Sequence, residues 1–414
     1  MTATLERPTR TPDARITGGR SDVVHTRVNA TDDPIAHLTP DDIEDIGREL
    51  DAIRASVMDD LGEADARYIR RMITTQRYLE MGSRAVLLFS GNPIAWVAGT
   101  AGLSVAKILD NMEIGHNIIH GQWDWMRDPK IHSSVWEWDN VTPAAHWKNS
   151  HNKVHHTYTN VVGHDNDLGY GIMRVDDAQK WYPGYLIQPV TQFINATLFE
   201  YGIAAYDLEL GKNWPTRHDN PQWRAEAKQV VNKIKKQAAK DYLLFPLLSG
   251  PNVLSTLAAN AVSNLVRNYW THSVIMCGHF PAGVRTFTKT SIDGETRGEW
   301  YLRQMLGSAN ISGSKAMHVM TGNLSYQIEH HLFPDMPSRR YQEIAPQIRA
   351  LFATYDLDYV TGPLPKQVAS AWSEIIRLSL PNDTSLRQTI QILATKGMKG
   401  LKARARATRF RLAD

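Results

Sequence analysis

Apolar residues recur at helical spacing early in this chain, after a segment that shows no such period. Beyond Thr39, isoleucine and leucine follow one another every three or four positions as far as Val57, which is the pattern of an amphipathic helix. Thr39 suits a helix cap and Pro40 the first helical position. We therefore predict a helix from Thr39 to about Val57 and a basic helix over residues 63–79, preceded by a polar, disordered segment, residues 1–38.

Two later stretches, residues 84–106 and 241–278, are mostly apolar and are interrupted in the same way. The run Gly-Asn-Pro at 91–93 breaks the first and Gly-Pro-Asn at 250–252 breaks the second, and both runs are typical of turns. We interpret each stretch as a helical hairpin, which gives about four transmembrane helices. The first arm of each hairpin is short for a membrane span, so buried helices of a soluble protein stay open as the alternative.

Charge supports one topology for these hairpins, because basic residues precede both of them: Arg70, Arg71 and Arg77, then Lys233, Lys235, Lys236 and Lys240. By the positive-inside rule this side faces the cytoplasm. We therefore predict an all-α integral membrane protein of the cell membrane, multi-pass, with both termini and the active site cytoplasmic. Residues 39–380 would form one domain, with a helical cytosolic cap over the hairpins.

The C-terminal segment, residues 381–414, is predicted to be a polar and basic tail. Between Lys396 and Arg411 it carries seven basic residues and no acidic one. Contact with anionic membrane lipids and a solvated, disordered tail explain this run equally well. No other feature favours nucleic acid, so we expect membrane lipids rather than a nucleic acid as a partner.

Three histidine clusters stand in the polar sequence beyond the apolar stretches: His116 with His120, His151 with His155 and His156, and His330 with His331. Residues i and i+4 of a helix lie on one face, so the i, i+4 pairs in the first two clusters each point one way. Neutral imidazole suits iron, zinc and copper, and seven imidazoles exceed what one tetrahedral ion can bind. We predict a site for two metal ions, with no catalytic side chain beyond its ligands.

Further candidates lie on the second hairpin and around the clusters. Asn268 and His272 have the i, i+4 spacing, and we predict His272 as a ligand with Asn268 orienting it. His279, seven residues later and near the same face, competes with His272. Gln327, at the start of the third cluster, is a candidate weak ligand, and Asp165 is a candidate partner for the second nitrogen of a ligating ring.

The single cysteine, Cys277, limits the redox chemistry of the chain itself. It excludes an internal disulfide and an iron–sulfur cluster held by several cysteines. Any electrons used at the histidine site must therefore come from another protein.

The cluster spacings resemble the HxxxH, HxxxHH and QxxHH boxes of the membrane-bound fatty acid desaturase family, and residues 322–334 are very similar to its third box. Within that family the sequence is most similar to mycobacterial-type acyl-CoA and linoleoyl-CoA desaturase-like members, over residues 65–360. Asn268 and His272 resemble the Asn-x-x-x-His pair that supplies an extra ligand in animal stearoyl-CoA desaturases. The resemblance implies two iron ions that use O2 and two electrons to introduce a cis double bond into a long-chain acyl group.

The resemblance also implies partners. A separate NAD(P)H-dependent reductase or ferredoxin-type protein would deliver electrons, and the substrate would be an acyl-CoA, with stearoyl-CoA desaturated at the ninth carbon as the favoured case. Front-end or acyl-lipid desaturation stays open, because a glutamine such as Gln327 begins the third box in front-end and related enzymes.

Two rival functions stay open on the sequence alone. A hydroxylase of lipids or alkanes could use the same scaffold and the same oxidant. A membrane zinc-binding or metal-transport protein could use the histidines for affinity, but transport places ionisable ligands within the spans. Here the histidine clusters lie beyond the apolar stretches, which favours the oxidase.

Overall fold

A computed structural model describes residues 24–26, 35–165 and 167–412, and it is mainly helical. The disorder predicted for residues 1–38 concerns a segment that lies for the most part outside the described residues. The helices up to the second apolar stretch are α1 (Pro40–Met58), α2 (Glu63–Leu87), α3 (Pro93–Leu109), α4 (Asn117–Ile119), α5 (Ala144–Trp147), α6 (Gln188–Thr197), α7 (Phe199–Asp207), α8 (Leu210–Asn213) and α9 (Pro221–Ala238).

The later helices are α10 (Phe245–Leu248), α11 (Val253–His279), α12 (Arg297–Leu306), α13 (Lys315–Met320), α14 (Gln327–Leu332), α15 (Tyr341–Thr354), α16 (Leu364–Ser379) and α17 (Leu386–Leu412). Three π-helices occur as well, π1 (Asp110–His116), π2 (Lys148–His155) and π3 (Ala239–Leu244). Short 3₁₀ turns cover Asp124–Met126, Gly169–Gly171, Pro183–Ile187, Gly250–Asn252, Lys289–Ile292, Leu324–Tyr326 and Ser338–Arg340.

Four short strands form two pairs. Strand β1 (Val24–Thr26) runs antiparallel to β2 (Arg285–Phe287), with Val24 opposite Phe287. Strand β3 (Asn310–Ser312) runs parallel to β4 (Thr361–Pro363), with Asn310 opposite Thr361.

The predicted first helix is confirmed. Helix α1 begins at Pro40, and the Thr39 hydroxyl accepts from the backbone N–H of Asp42 while the Asp42 carboxylate accepts from the backbone N–H of Thr39. This reciprocal pair satisfies two donors that the start of a helix would otherwise leave without partners. Helix α2 follows from Glu63 as expected but continues to Leu87.

The expected architecture of about four transmembrane helices beneath a cytosolic cap is wrong, and so is the multi-pass location in the cell membrane. Within the ranges that the structure describes, none of the helices has both the length and the apolar character that a membrane span requires. Helix α10 has only four residues, and α3 has 17. Helix α11 has 27 residues, but it carries buried Asn264 and Arg267 on the side that packs inward.

Polar contacts join the helices of the two apolar stretches. Thr256 of α11 donates to the carbonyl of Leu87 at 3.0 Å, and Ser263 donates to the carbonyl of Thr100 at 3.2 Å. Asp241 of π3 is fully buried and binds Lys107 at 2.7 Å. It also binds Arg84 at 2.9 Å. These inward polar residues lower the hydropathy of the helices that pack through them, which agrees with the lack of a sufficiently apolar span among the described helices.

A separate apolar core fixes the third histidine cluster. Helix α14, which carries His330 and His331, is buried along its whole length. Its Ile328 lies in a core cluster with residues of α1, α12 and α15, among them Ile46, Leu50, Tyr301 and Phe352. Burying such side chains stabilises the fold by about 2 kcal/mol each, so α14 is anchored independently of any ligand.

The described part of the basic C-terminal tail is helical. Helix α17 is interrupted at Gly397, whose φ of 59° turns the chain. Beyond this turn Arg404 donates to the carbonyl of Asp383 at 3.2 Å, so the second half of α17 folds back towards the start of the first half. Lys396, Lys399 and Lys402 are exposed.

Candidate metal centre

The first two histidine clusters are associated with π-helices. In cluster one, His116 is the last residue of π1 and His120 directly follows α4. In cluster two, His151 and His155 lie in π2 and His156 directly follows it. In π2 the backbone N–H of His156 donates to the carbonyl of His151, five residues earlier, at 3.1 Å. A π-turn inserts one residue into the helix and is frequent at functional sites. The extra residue changes the directions of the side chains in the turn. The i, i+4 rule for a regular α-helix therefore does not predict these directions.

Gly115 shows how tightly the first π-helix is built. A Cβ atom at this position would lie 2.7 Å from the carbonyl oxygen of Asp110 and 3.0 Å from Cβ of Trp138. Any side chain would therefore push π1 away from the Trp138 loop. Glycine next to His116 is required by this close approach.

The histidines form two groups inside the protein. The first ligand group, with candidate ligand atoms all within 4.8 Å of one another, is His116, His120, His151 and His330. The second ligand group, by the same measure, is His155, His279 and His331. His156 lies between them, with its ring centre 4.7 Å from that of His120 and 4.5 Å from that of His331. Residues distant in sequence thus supply each group.

Six of these rings have an oxygen acceptor at Nδ1. The partners are the side-chain oxygens of Asn117 for His116 (3.0 Å), Asp167 for His151 (2.6 Å), Asp165 for His155 (2.9 Å), Tyr341 for His330 (3.2 Å) and Gln304 for His331 (3.2 Å), and the Gly307 carbonyl for His279 (3.2 Å). An oxygen acceptor places the ring proton on Nδ1 and leaves the Nε2 lone pair free. Metal-binding histidines are held in this way.

The opposite nitrogens fit a metal. In the described structure the Nε2 atoms of His120, His151 and His330, and both ring nitrogens of His156, are buried without a hydrogen-bond partner. The Nε2 atoms of His279 and His331 face each other at 3.2 Å. Buried polar atoms without partners are rare in proteins and require an explanation. The two groups could each hold a metal ion, which would bind the ring nitrogens that face it.

Burial also keeps the rings in the form that binds metal. It lowers the pKa of His116 to about 4 and holds the pKa of His120 and His330 well below the usual range. At neutral pH these imidazoles are therefore uncharged. Burial acts in the same direction on the pKa of His155, but the nearby Asp165 carboxylate outweighs it and the net shift is upward.

Trp147 forms an apolar wall beside the first ligand group. Its ring stacks on His151 with 4.2 Å between ring centres. The centres of His116 and His120 each lie 5.3 Å from the same indole. An aromatic surface at this place excludes water from one side of the group.

The structure places His272, which the sequence predicts as a ligand, outside both groups. Its Nε2 atom is 2.6 Å from Nε2 of Gln192, and its ring packs edge-on against Phe199. His279 is seven residues further along α11, and two helical turns shift a residue by about 10 Å on the same face. Of the two histidines on this face of α11, the structure brings His279 and not His272 to the second group. Asn268, which the sequence predicts to orient His272, lies one turn earlier and donates to the carbonyl of Thr197 at 3.0 Å.

The two remaining candidates contact the second group. Gln327 Nε2 lies 3.1 Å from Nε2 of His279, so the glutamine side chain is directed at this group. Asp165 accepts from Nδ1 of His155 with both carboxylate oxygens, at 3.0 and 2.9 Å. Sequence reasoning did not find Gln304 or Tyr341, which are distant from the clusters along the chain and fit no spacing rule.

Comparison with known proteins identifies the class of this protein. The sequence profile of the fatty acid desaturase family matches residues 91–363. The chain belongs to this family, and it is an oxidoreductase that acts on fatty acyl groups.

Individual relatives agree with this assignment. The chain is 49% identical over 354 residues to the NADPH-dependent stearoyl-CoA 9-desaturase of Mycobacterium tuberculosis, an alignment that covers 84% of this chain and 83% of the relative. It is 26% identical to a mouse fatty acid desaturase 2-like protein, over 59% of this chain and 47% of that protein. It is 23% identical to the sn-1 linoleoyl-lipid 6-desaturase of Synechocystis, over 63% of this chain and 74% of that protein.

Proposed function

We propose that this protein desaturates long-chain acyl-CoA and that its substrate is stearoyl-CoA, which receives a cis double bond at the ninth carbon. The observation that carries the proposal is the pair of buried histidine groups, and in the first of them the Nε2 atoms of His120, His151 and His330 are buried without a hydrogen-bond partner in the described structure. The substrate and position are supported by the name of the mycobacterial relative, with which the chain shares 49% identity.

The donor set fits two iron ions. His116, His120, His151 and His330 would hold one ion, and His155, His279 and His331 the other, with His156 between them. All these ligand atoms are imidazole nitrogens, which suit iron. The iron pair would supply the redox chemistry with O2 that removes two hydrogen atoms from neighbouring methylene groups. Overall, O2, two electrons and two protons are consumed and two water molecules are released.

The residues of the chain prepare this site in two ways. The Nδ1 acceptors fix the orientation of six rings, so that no rearrangement is needed when the ions bind. Burial of the ligands and the Trp147 indole keep water from the groups. Exclusion of water strengthens the electrostatic interactions inside such a site and prevents side reactions of reactive intermediates.

Electrons would reach the site from a separate NAD(P)H-dependent reductase or a ferredoxin-type protein. The chain has one cysteine, Cys277, and it is buried. It therefore offers no thiolates for an iron–sulfur cluster of its own. The mycobacterial relative is named as NADPH-dependent, which favours a donor that draws on NADPH.

The test is product analysis with a defined electron source. Iron-loaded protein would be mixed with O2, NADPH, an added reductase and either stearoyl-CoA or a stearoyl phospholipid, and the products analysed by mass spectrometry. We expect oleoyl-CoA from stearoyl-CoA, no product from the phospholipid, and no product without the reductase. A His155→Ala, His331→Ala double variant serves as the inactive control. A hydroxylated acyl chain would identify a hydroxylase instead, and a double bond elsewhere would overturn the proposed position.

A further inference from the structure

Asn160, which follows the second histidine cluster, has an unusual backbone conformation. It is fully buried, and its φ is 57°, in the left-handed region. Among residues with a side chain, asparagine adopts this region most readily. The conformation turns the chain sharply between His156 and Asp165, and it directs both the backbone N–H and the side chain of Asn160 into the protein.

The contacts of Asn160 determine which way its amide points. The side-chain Nδ2 atom donates to the carbonyl of Arg285 and to the carbonyl of Gly307, at 2.8 Å each. Both neighbours are acceptors, so only the amino half of the amide can face them. The backbone N–H donates to Oδ2 of Asp165, also at 2.8 Å.

Two of these acceptors also contact histidines that are candidate metal ligands. The carbonyl of Gly307 lies 3.2 Å from Nδ1 of His279. The carboxylate of Asp165 lies 2.9 Å from Nδ1 of His155. Asn160 therefore connects, through one intermediate each, to two of the three members of the second ligand group.

The preceding residue contacts the third member. The hydroxyl of Thr159 lies 3.2 Å from Nδ1 of His331, and it donates to the carbonyl of His155 at 2.9 Å. The acceptors of the first ligand group are Asn117, Asp167 and Tyr341. In the described structure Asn160 bonds to none of these three.

We propose that Asn160 is a positioning residue for the second ligand group alone, acting through Asp165 on His155 and through Gly307 on His279. The inference rests on the proposed function, because it assumes that this group binds iron. Removal of an outer partner of a metal ligand lowers metal affinity roughly 10- to 100-fold. Loss of the Asn160 amide breaks the link to Gly307 and His279 but keeps the backbone bond to Asp165, so it weakens one of the two iron sites by up to this factor and leaves the other unchanged.

The experiment measures the two sites separately. Metal-free protein is titrated with Fe²⁺ under anaerobic conditions, and the calorimetric isotherm is resolved into two binding steps. Asn160→Gly keeps the left-handed backbone and its N–H but removes the amide. Asn160→Asp keeps the size of the side chain but replaces the amino donor by an oxygen that faces the carbonyls of Arg285 and Gly307. Asn264→Ala is the matched control, since it removes a buried amide that bonds to Asp241 and Tyr242 instead.

Selective weakening of one step in both Asn160 variants, with two unchanged steps in the Asn264 variant, supports the proposal. Two steps of wild-type affinity in the Asn160 variants, or equal weakening of both steps, overturn it. A role in stability alone would lower the melting temperature of the metal-free Asn160 variants without changing either affinity, and this too overturns it. Wild-type protein without two iron-binding steps would instead contradict the proposed function.

Discussion

The Nε2 atoms of His279 and His331 lie 3.2 Å apart in the protein interior, and Nε2 of Gln327 lies 3.1 Å from the same His279 atom. The Nδ1 atoms of both rings face oxygen acceptors. Each ring therefore directs its Nε2 lone pair away from its Nδ1 acceptor, and these two nitrogens converge with the Gln327 side chain at a place that could hold a cation. We therefore propose His279 as the member of α11 that completes the second ligand group.

A pair of matched variants tests this assignment. His279→Ala removes a ligand candidate, and we expect it to lose one of two bound irons and all desaturase activity. His272→Ala removes a buried histidine of the same helix that bonds to Gln192, and we expect it to retain both irons. Elemental analysis of the two purified variants is the measurement. Loss of iron in the His272 variant but not in the His279 variant would reverse the assignment.

The choice between these two histidines shows what spacing in a sequence can and cannot determine. His272 and His279 are separated by seven residues, almost two full turns, so periodicity places them on one face. Only the tertiary contacts of α11, with Gln192 near one and Gly307 near the other, decide between them. The two histidines of the third cluster could be predicted together, because His330 and His331 are consecutive residues of one short buried helix.

The pH dependence of stability is predicted to contain a contribution from Glu113. This carboxyl is fully buried and accepts from Tyr68 at 2.7 Å, from Asn323 at 2.9 Å and from Ser338 at 3.0 Å. Burial raises its pKa to about 7, above the usual 4.5, although the three hydrogen bonds oppose the shift. The folded protein therefore binds the proton more tightly than the unfolded chain does.

The sign of the effect follows from this difference. Between pH 4.5 and 7 the folded state holds the proton that the unfolded state releases, so stability falls as the pH rises, by about 3 kcal/mol for the 2.5-unit shift. Glu113→Gln carries no titrating proton, and its unfolding free energy should exceed that of the wild type increasingly from pH 5 to 7. Denaturant titrations of both metal-free proteins across this range measure the difference. A constant difference would show that the Glu113 carboxyl has an ordinary pKa.

The buried charges around Asp241 are predicted to be far more sensitive than exposed ones. Asp241→Asn leaves Lys107 and Arg84 with less compensating charge, and breaking a buried pair of this kind costs about 3–5 kcal/mol. Asp335→Asn is the control, because the pair of Asp335 with Arg54 is largely exposed and such pairs contribute about 1 kcal/mol or less. Urea denaturation of the two variants compares them. Equal losses would mean that the Asp241 network is solvated.

The same charges explain why the architecture was mispredicted. The sequence of residues 84–106 and 241–278 is apolar on average, and this average favoured membrane hairpins. The average does not show that Arg84, Lys107 and Arg267 are partnered internally by Asp241 and other acidic groups. Side-chain partners so distant in the chain are visible only in the fold. The cap of α1, by contrast, depends on Thr39 and Asp42 alone, and it was predictable for that reason.

Iron content tests the central claim most directly. Freshly purified protein, compared with a His155→Ala, His331→Ala double variant and with Asn264→Ala, is analysed for metals by elemental analysis. The account predicts about two irons per chain in the wild type and in the Asn264 variant, and loss of at least the second-group iron in the double variant. A wild-type protein without stoichiometric metal, even after anaerobic addition of Fe²⁺, would contradict it.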